Sequence, residues 1–146
     1  MGGEKSAEVV VVGAGPAGSS VAFALARAGV DVVVLDRARF PRPKPCAEFL
    51  SPQASRILND MGALEPVERS GAALLDGMVI RAPNGRRIVG EFGSCPLFRA
   101  YRTQALSVRR ETLDAILLER ARAAGARVLE GVQVVDLVRD AEGRVV

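Results

Sequence analysis

Histidine and tryptophan are absent from the 146 residues, and cysteine occurs only at Cys46 and Cys95. Without histidine, the segment has no imidazole general base, no Ser/His triad and no histidine metal site. Two cysteines without CxxC spacing argue against a structural zinc or a disulfide framework and fit a reducing compartment, so a cytoplasmic location is expected. Lysine is scarce as well, at Lys5 and Lys44 alone, so the basic charge is nearly all arginine. The 20 basic residues are mostly intermixed with 17 acidic ones, for a net charge of +3. That pattern holds no nucleic-acid patch. No apolar run reaches the roughly 20 residues of a membrane-spanning helix, so no integral membrane segment is expected. Met1 to Ala7 is polar and lacks the apolar core of a signal peptide. A composition 49% hydrophobic and 25% charged is that of a globular chain with a real core.

The stretch from Glu8 to Arg37, EVVVVGAGPAGSSVAFALARAGVDVVVLDR, carries the strongest signal. Val9 to Val12 is a β-branched run that predicts a parallel strand buried on both faces. Gly13, Ala14, Gly15, Pro16, Ala17 and Gly18 follow at once. Ala17 to Ala28 has good helix propensity and ends at Gly29, and Val32 to Leu35 gives a second strand. In this reading Gly13 allows the tight turn, Gly15 lets backbone approach a pyrophosphate, and Gly18 lets the helix pack closely on the strand. The helix N-terminus offers its N–H groups to phosphate. Asp36 lies eighteen residues beyond Gly18, at the end of the second strand, where a carboxylate accepts hydrogen bonds from ribose hydroxyls. Strand, glycine turn, helix, strand and terminal acid in register point to a dinucleotide site in an α/β fold. The bland alternative is a glycine-rich turn with no ligand.

Beyond Asp36 the chain changes character. RARFPRPKP, residues 37 to 45, holds three prolines and the bases Arg37, Arg39, Arg42 and Lys44, and predicts an extended loop. Such a loop lies where open α/β sheets bind ligands, so its bases meet phosphate or are simply solvated. Ser51 and Pro52 predict a helix start, with Ala54, Ile57, Leu58 and Met61 on one apolar stripe up to Gly62. Leu74 to Phe92 predicts a hairpin with Asn84 and Gly85 as the two left-handed turn residues. Gly93 to Thr103 is irregular. A helix with Leu113, Ile116, Leu117, Ala121 and Ala124 on one face ends at Gly125, a short strand covers Arg127 to Leu129, and Val132, Val134 and Leu137 begin a further strand. The expected organisation is a nucleotide-binding unit with its following loop and helix over residues 1–73, an inserted hairpin and loop of the substrate side over 74–104, and a return to the nucleotide domain over 105–146.

VVVVGAGPAG with LDR after the second strand, KPCAEFLSP after the basic loop, and VRRETLDAILLERARAAGARVLEG later together resemble the FAD-dependent oxidoreductases of the geranylgeranyl reductase type. These sit within the wider p-hydroxybenzoate hydroxylase-like group, which also includes aromatic-ring monooxygenases and flavin-dependent halogenases. The resemblance spans Glu8 to Val146. It implies a Rossmann-like FAD-binding domain with an inserted β-hairpin, incomplete at its C-terminal end. By matching motif, it implies that Gly13, Gly15, Pro16 and Ala17 line the FAD pyrophosphate, Asp36 holds the adenosine ribose and Arg37 lies beside the adenine. It further implies that Val134 meets the adenine through its backbone, that Arg110, four residues before Asp114, reaches the phosphate or ribityl region, and that Cys46 and Ala47 pass near the flavin. Many of these relatives have glycine where this chain has Ala47, and a methyl group there narrows the backbone approach. A cation at a helix start opposes the dipole, which also favours a phosphate role for Arg110 over a surface one. For Cys46 the competing reading is a small buried hydrophobe.

The resemblance also implies chemistry carried by FAD, with NAD(P)H a possible electron donor and a small molecule as substrate. No residue here stands out as a proton donor to that substrate. The family's second cofactor segment of GD type is missing, so further polypeptide is expected beyond Val146. A nicotinamide-binding dehydrogenase module, or a fragment that binds no cofactor tightly, are the alternatives.

Overall fold

The computed structural model describes residues 6–93 and 100–145. In chain order its elements are strand β1 (Val9–Val12), helix α1 (Pro16–Arg27), strands β2 (Val32–Asp36) and β3 (Phe49–Leu50), and helices α2 (Ala54–Asp60) and α3 (Leu64–Arg69). Strands β4 (Ala73–Leu75), β5 (Gly77–Arg81), β6 (Arg87–Glu91) and β7 (Ala105–Ser107) follow, then helix α4 (Arg110–Ala123) and strand β8 (Arg127–Glu130). The chain divides into two compact units, residues 1–42 with 117–146, and residues 43–116.

The first unit is the α/β part. Its sheet is parallel in the order β1-β2-β8, with Val9 opposite Val32 and Val33 opposite Arg127. Parallel pairing needs a crossover, which α1 supplies between β1 and β2. Ala14, Ala22, Val32, Val34, Leu118, Ala121 and Ala126 form the buried core, with Val9, Val11, Phe23 and Phe40 packed against it. The small residues of α1 are what permit the helix to lie so close to the sheet. A Cβ on Gly18 would collide with the carbonyl oxygen of Gly13. The expectation that β1 is buried on both faces is corrected: among the described residues β1 pairs only with β2, and while Val9 and Val11 face the core, Val10 and Val12 are 53% and 61% exposed. Among the described residues the strand expected from Val132 does not form either. Residues 132–138 are irregular, and only an isolated bridge joins Arg139 to Val145 across a turn at Asp140 to Gly143. With Val135 and Val138 exposed and no strand among the described residues beyond β8, that segment has no described ladder to join.

The second unit is built on an antiparallel sheet in the order β3-β7-β4, whose central strand buries Ala105 and Leu106 completely. The helix expected to start at Ser51 begins at Ala54, whose N–H is taken by the Ser51 carbonyl at 2.9 Å as a turn precedes the helix. Its buried face runs through Ser55, Leu58 and Met61, and Ile57 lies outside, 56% exposed. Sequence reading missed α3, which buries Val67. The hairpin is shorter than expected, β5 with β6, because Leu74 belongs to β4 in the other sheet. Its loop has one left-handed residue and not two: the Gly85 N–H donates to the Ala82 carbonyl at 3.0 Å, Gly85 has φ +84, and Asn84 keeps a negative φ. This is the three-residue form, a turn at Pro83 and Asn84 followed by a glycine bulge. Cys95, Pro96 and Phe98 lie outside the described residues.

Candidate functional site

Each unit holds its own group of candidate side chains. In the first unit, Gly13 turns the chain with φ +99, and its N–H donates to the Leu35 carbonyl at 2.8 Å. Gly15 then caps α1 with φ −73 and ψ −174, Pro16 follows, and Ala17 and Gly18 complete the first turn. The extended conformation of Gly15 is open to any residue, so backbone geometry does not call for glycine there, whereas close approach of a ligand does. No side chain caps α1, and its first turn holds no acidic residue. The N–H groups of a helix start have no intrahelical partner, and together with the dipole they favour an anion.

Asp36 is almost fully buried at the end of β2, 9% exposed. Its Oδ2 accepts the Ala14 N–H at 2.7 Å, and its Oδ1 accepts the Ala38 N–H at 2.8 Å. Each carboxylate oxygen has a second lone pair for a further donor. Ser19, fully buried on α1, donates its hydroxyl to the Ala14 carbonyl at 3.0 Å. No sequence pattern flagged Ser19 or Ala14; the signal is a three-dimensional closure of residues five and twenty-two apart. Arg37 follows Asp36 and is exposed, and Val134 is half-buried in the irregular segment after β8.

In the second unit, the structure brings Cys46 and Arg110 together. Arg110 opens α4 and makes a two-pronged pair with Asp114 one turn on, Nε to Oδ1 at 2.8 Å and Nη2 to Oδ2 at 3.0 Å. Asp114 is wholly buried and the Arg110 side chain is 18% exposed, so Arg110 is not a surface cation at odds with the dipole. The Asp114 carboxylate, and then the Cys46 sulfur, make its guanidinium hold the proton still more firmly than usual. Cys46 is exposed, which removes the reading of a buried hydrophobe. The Glu48 backbone N–H and the Arg110 guanidinium draw its thiol below the usual value. Glu48 takes a left-handed conformation, φ 59, unusual for a residue with a side chain, and it turns its N–H toward that sulfur. Ala47 has an ordinary negative φ and is exposed, so its methyl group introduces no backbone strain. Beside this cluster, Lys44, Glu48, Arg109, Arg110 and Glu111 line a cleft of about 290 Å³. Among the described residues no group of acidic and cysteine side chains is arranged to hold a metal ion.

The sequence matches the family described as FAD binding domain over residues 6–145. The chain belongs to that family. FAD is thereby its dinucleotide, and the nicotinamide module is set aside. The menaquinone reductase of Mycobacterium tuberculosis is 40% identical over 152 residues, which cover 100% of this chain and 34% of that protein. Digeranylgeranylglycerophospholipid reductase 1 of Methanopyrus kandleri is 37% identical over 83% of this chain and 28% of its own length. Among solved structures, the FAD-dependent chondrochloren halogenase of a myxobacterium superposes with a TM-score of 0.80 at 28% identity, covering 93% of this chain and 31% of that one. The chain thus spans about a third of the length of the relatives it matches. The relatives named are two reductases and an FAD-dependent halogenase. No helix among the described residues is long and apolar enough to cross a membrane.

Proposed function

We propose that this chain is the FAD-holding part of a reductase of the geranylgeranyl reductase type, which saturates an alkene carbon pair of a prenyl lipid. The observation that carries the reading is the 40% identity to a menaquinone reductase across the whole chain, joined by a digeranylgeranyl lipid reductase at 37%. Both names are those of reductases of prenyl-bearing lipids, and the prenyl chain is what the two lipids share. When bound, FAD supplies hydride transfer, taking reducing equivalents from a donor such as NAD(P)H and delivering them to substrate.

The chain's own residues bind and orient the cofactor. The Gly13 to Gly18 turn and the uncapped start of α1 take the phosphates, with Gly15, Pro16 and Ala17 at the contact. The remaining lone pairs of Asp36 would accept from the adenosine ribose, Arg37 would lie by the adenine, and the Val134 backbone would meet the base. Arg110, whose direction is fixed by Asp114, would offer its remaining guanidinium N–H groups to the phosphate or ribityl chain. Cys46 and Ala47 would lie toward the flavin, where an anionic sulfur would bias the charge of a neighbouring ring.

Titration of the purified chain with FAD, followed by quenching of flavin fluorescence, is expected to saturate at one flavin per chain. A colourless protein that binds NADH and not FAD would overturn the cofactor assignment. Protein isolated from its source and given reductant with a geranylgeranyl lipid is expected to lose the alkene proton signals. Incorporation of halide or oxygen into an aromatic substrate, with the alkenes untouched, would move it to the halogenase or monooxygenase class.

A further inference from the structure

The glycine turn is gripped from both sides by buried side chains that need not touch a ligand. Asp36 Oδ2 accepts the Ala14 N–H at 2.7 Å, and Ser19 Oγ donates to the Ala14 carbonyl at 3.0 Å. Ala14 and Ser19 are fully buried, and Asp36 nearly so. The first contact fixes the peptide plane between Gly13 and Ala14, and the second fixes the plane between Ala14 and Gly15. In a trans peptide the carbonyl and N–H point in opposite directions. With the Ala14 carbonyl turned inward to Ser19, the Gly15 N–H is therefore turned away from it. The main chain adds its own ties, Gly13 N–H to the Leu35 carbonyl at 2.8 Å and Ser19 N–H to the Gly15 carbonyl at 2.9 Å. Gly15 is the position whose own conformation gave no reason for glycine.

We infer that Ser19 and Asp36 are positioning residues for the cofactor's phosphates, acting through the Ala14 backbone to present the Gly15 N–H before the ligand arrives. Asp36 then has two separable duties, a ribose contact made by its spare lone pairs and a clamp made by the pair already in use. Ser19 has only the second, since it lies buried on the inner side of α1. The inference deepens the FAD reading and rests on it for the identity of the ligand, but the clamp itself is tested without FAD.

The experiment compares the wild-type chain with Ser19→Ala, Asp36→Asn and the double variant. Three readings are taken: FAD affinity by fluorescence, affinity for inorganic pyrophosphate by phosphorus NMR, and amide hydrogen exchange of residues 14, 15 and 17–19 in the ligand-free protein. Loss of one net hydrogen bond is expected to weaken both ligands about fivefold in Ser19→Ala. The double variant is expected to fall short of the product of the single effects, because both side chains hold one residue. Exchange should quicken at residues 14 and 19, whose N–H groups are held by Asp36 and by the Gly15 carbonyl, while the β8 amides keep their protection, which separates a loosened turn from a destabilised fold. The idea is overturned if Asp36→Asn weakens FAD alone and Ser19→Ala changes neither ligand, since Asp36 would then act through ribose only. It is equally overturned if both variants leave pyrophosphate binding and local exchange unchanged. Failure of wild type to bind FAD would sink the cofactor reading instead, and the pyrophosphate and exchange readings would still decide the clamp.

Discussion

At the scale of single residues, the second unit concentrates its electrostatics on one arginine. Burying Asp114 alone would leave an uncompensated charge, so its two-pronged bond from Arg110 is what makes that burial tolerable. The same guanidinium reaches the Cys46 sulfur, and the Glu48 N–H approaches from the backbone. Both donors favour the anion over the thiol, so deprotonation begins at lower pH than for an ordinary cysteine. The sign follows directly: as pH rises, Cys46 should become reactive earlier than a free thiol, and it should fade again as pH falls through its lowered value. Alkylation by iodoacetamide, followed on the Cys46 peptide by mass spectrometry, is expected to show its inflection below that of an unfolded control. In Arg110→Gln the inflection should move back up while the Glu48 contribution remains. An inflection that stays put in the variant would mean that Arg110 does not act on the sulfur. Of this, only the four-residue spacing of Arg110 and Asp114 was legible in the chain as letters. Arg110 at a helix start reads as a misplaced cation until Asp114 is seen to face it, and Cys46 reads as buried until it is found exposed.

At the scale of elements, the sequence was most readable where structure is local. The β1-α1-β2 run is contiguous, so its period, glycines and terminal acid all fall within one window, and its boundaries differ from expectation by a residue at most. The antiparallel sheet of the second unit was not readable, because β3, β4 and β7 are two or three residues long and join positions far apart in the chain. Segments that short carry no periodicity to detect. The strand expected from Val132 failed for the converse reason: alternating valines fit a strand, but a strand also needs a neighbour, and none of the described strands lies beyond β8. Gly18 gives the sharpest test of the local part. Its missing side chain is required by the contact of α1 with the Gly13 carbonyl and not by dihedral freedom. Gly18→Ala must push the helix off the turn, with an expected loss of about 3 kcal/mol, the range of overpacked cores. Urea unfolding measures that loss, and an unchanged midpoint would show that the turn yields without cost.

At the scale of the whole molecule, the two units divide the assigned roles: glycine turn, clamp and Asp36 in one, Cys46 and Arg110 in the other. Ligand linkage gives a way to weigh them. A molecule that binds the folded state and not the unfolded chain stabilises it by an amount set only by its concentration relative to Kd, about 2.7 kcal/mol at a hundredfold excess. For a chain of this length each kcal/mol moves Tm by about 4 °C, so saturating FAD is expected to raise the midpoint by about 10 °C. The rise should grow with the logarithm of FAD concentration, and adenosine diphosphate, which has the phosphates and the ribose but no flavin, should give a smaller one. Amide exchange then assigns the gain. Slowing at residues 13–15, 17 and 18 is expected from the phosphate contacts, and slowing at residues 47, 48 and 110 tests the roles given to Ala47, Cys46 and Arg110. If FAD raises Tm but residues 47, 48 and 110 exchange as in the free protein, the cofactor is held by the glycine turn and Asp36 alone. The Arg110 pair would then be a structural tie within its own unit, built to bury Asp114.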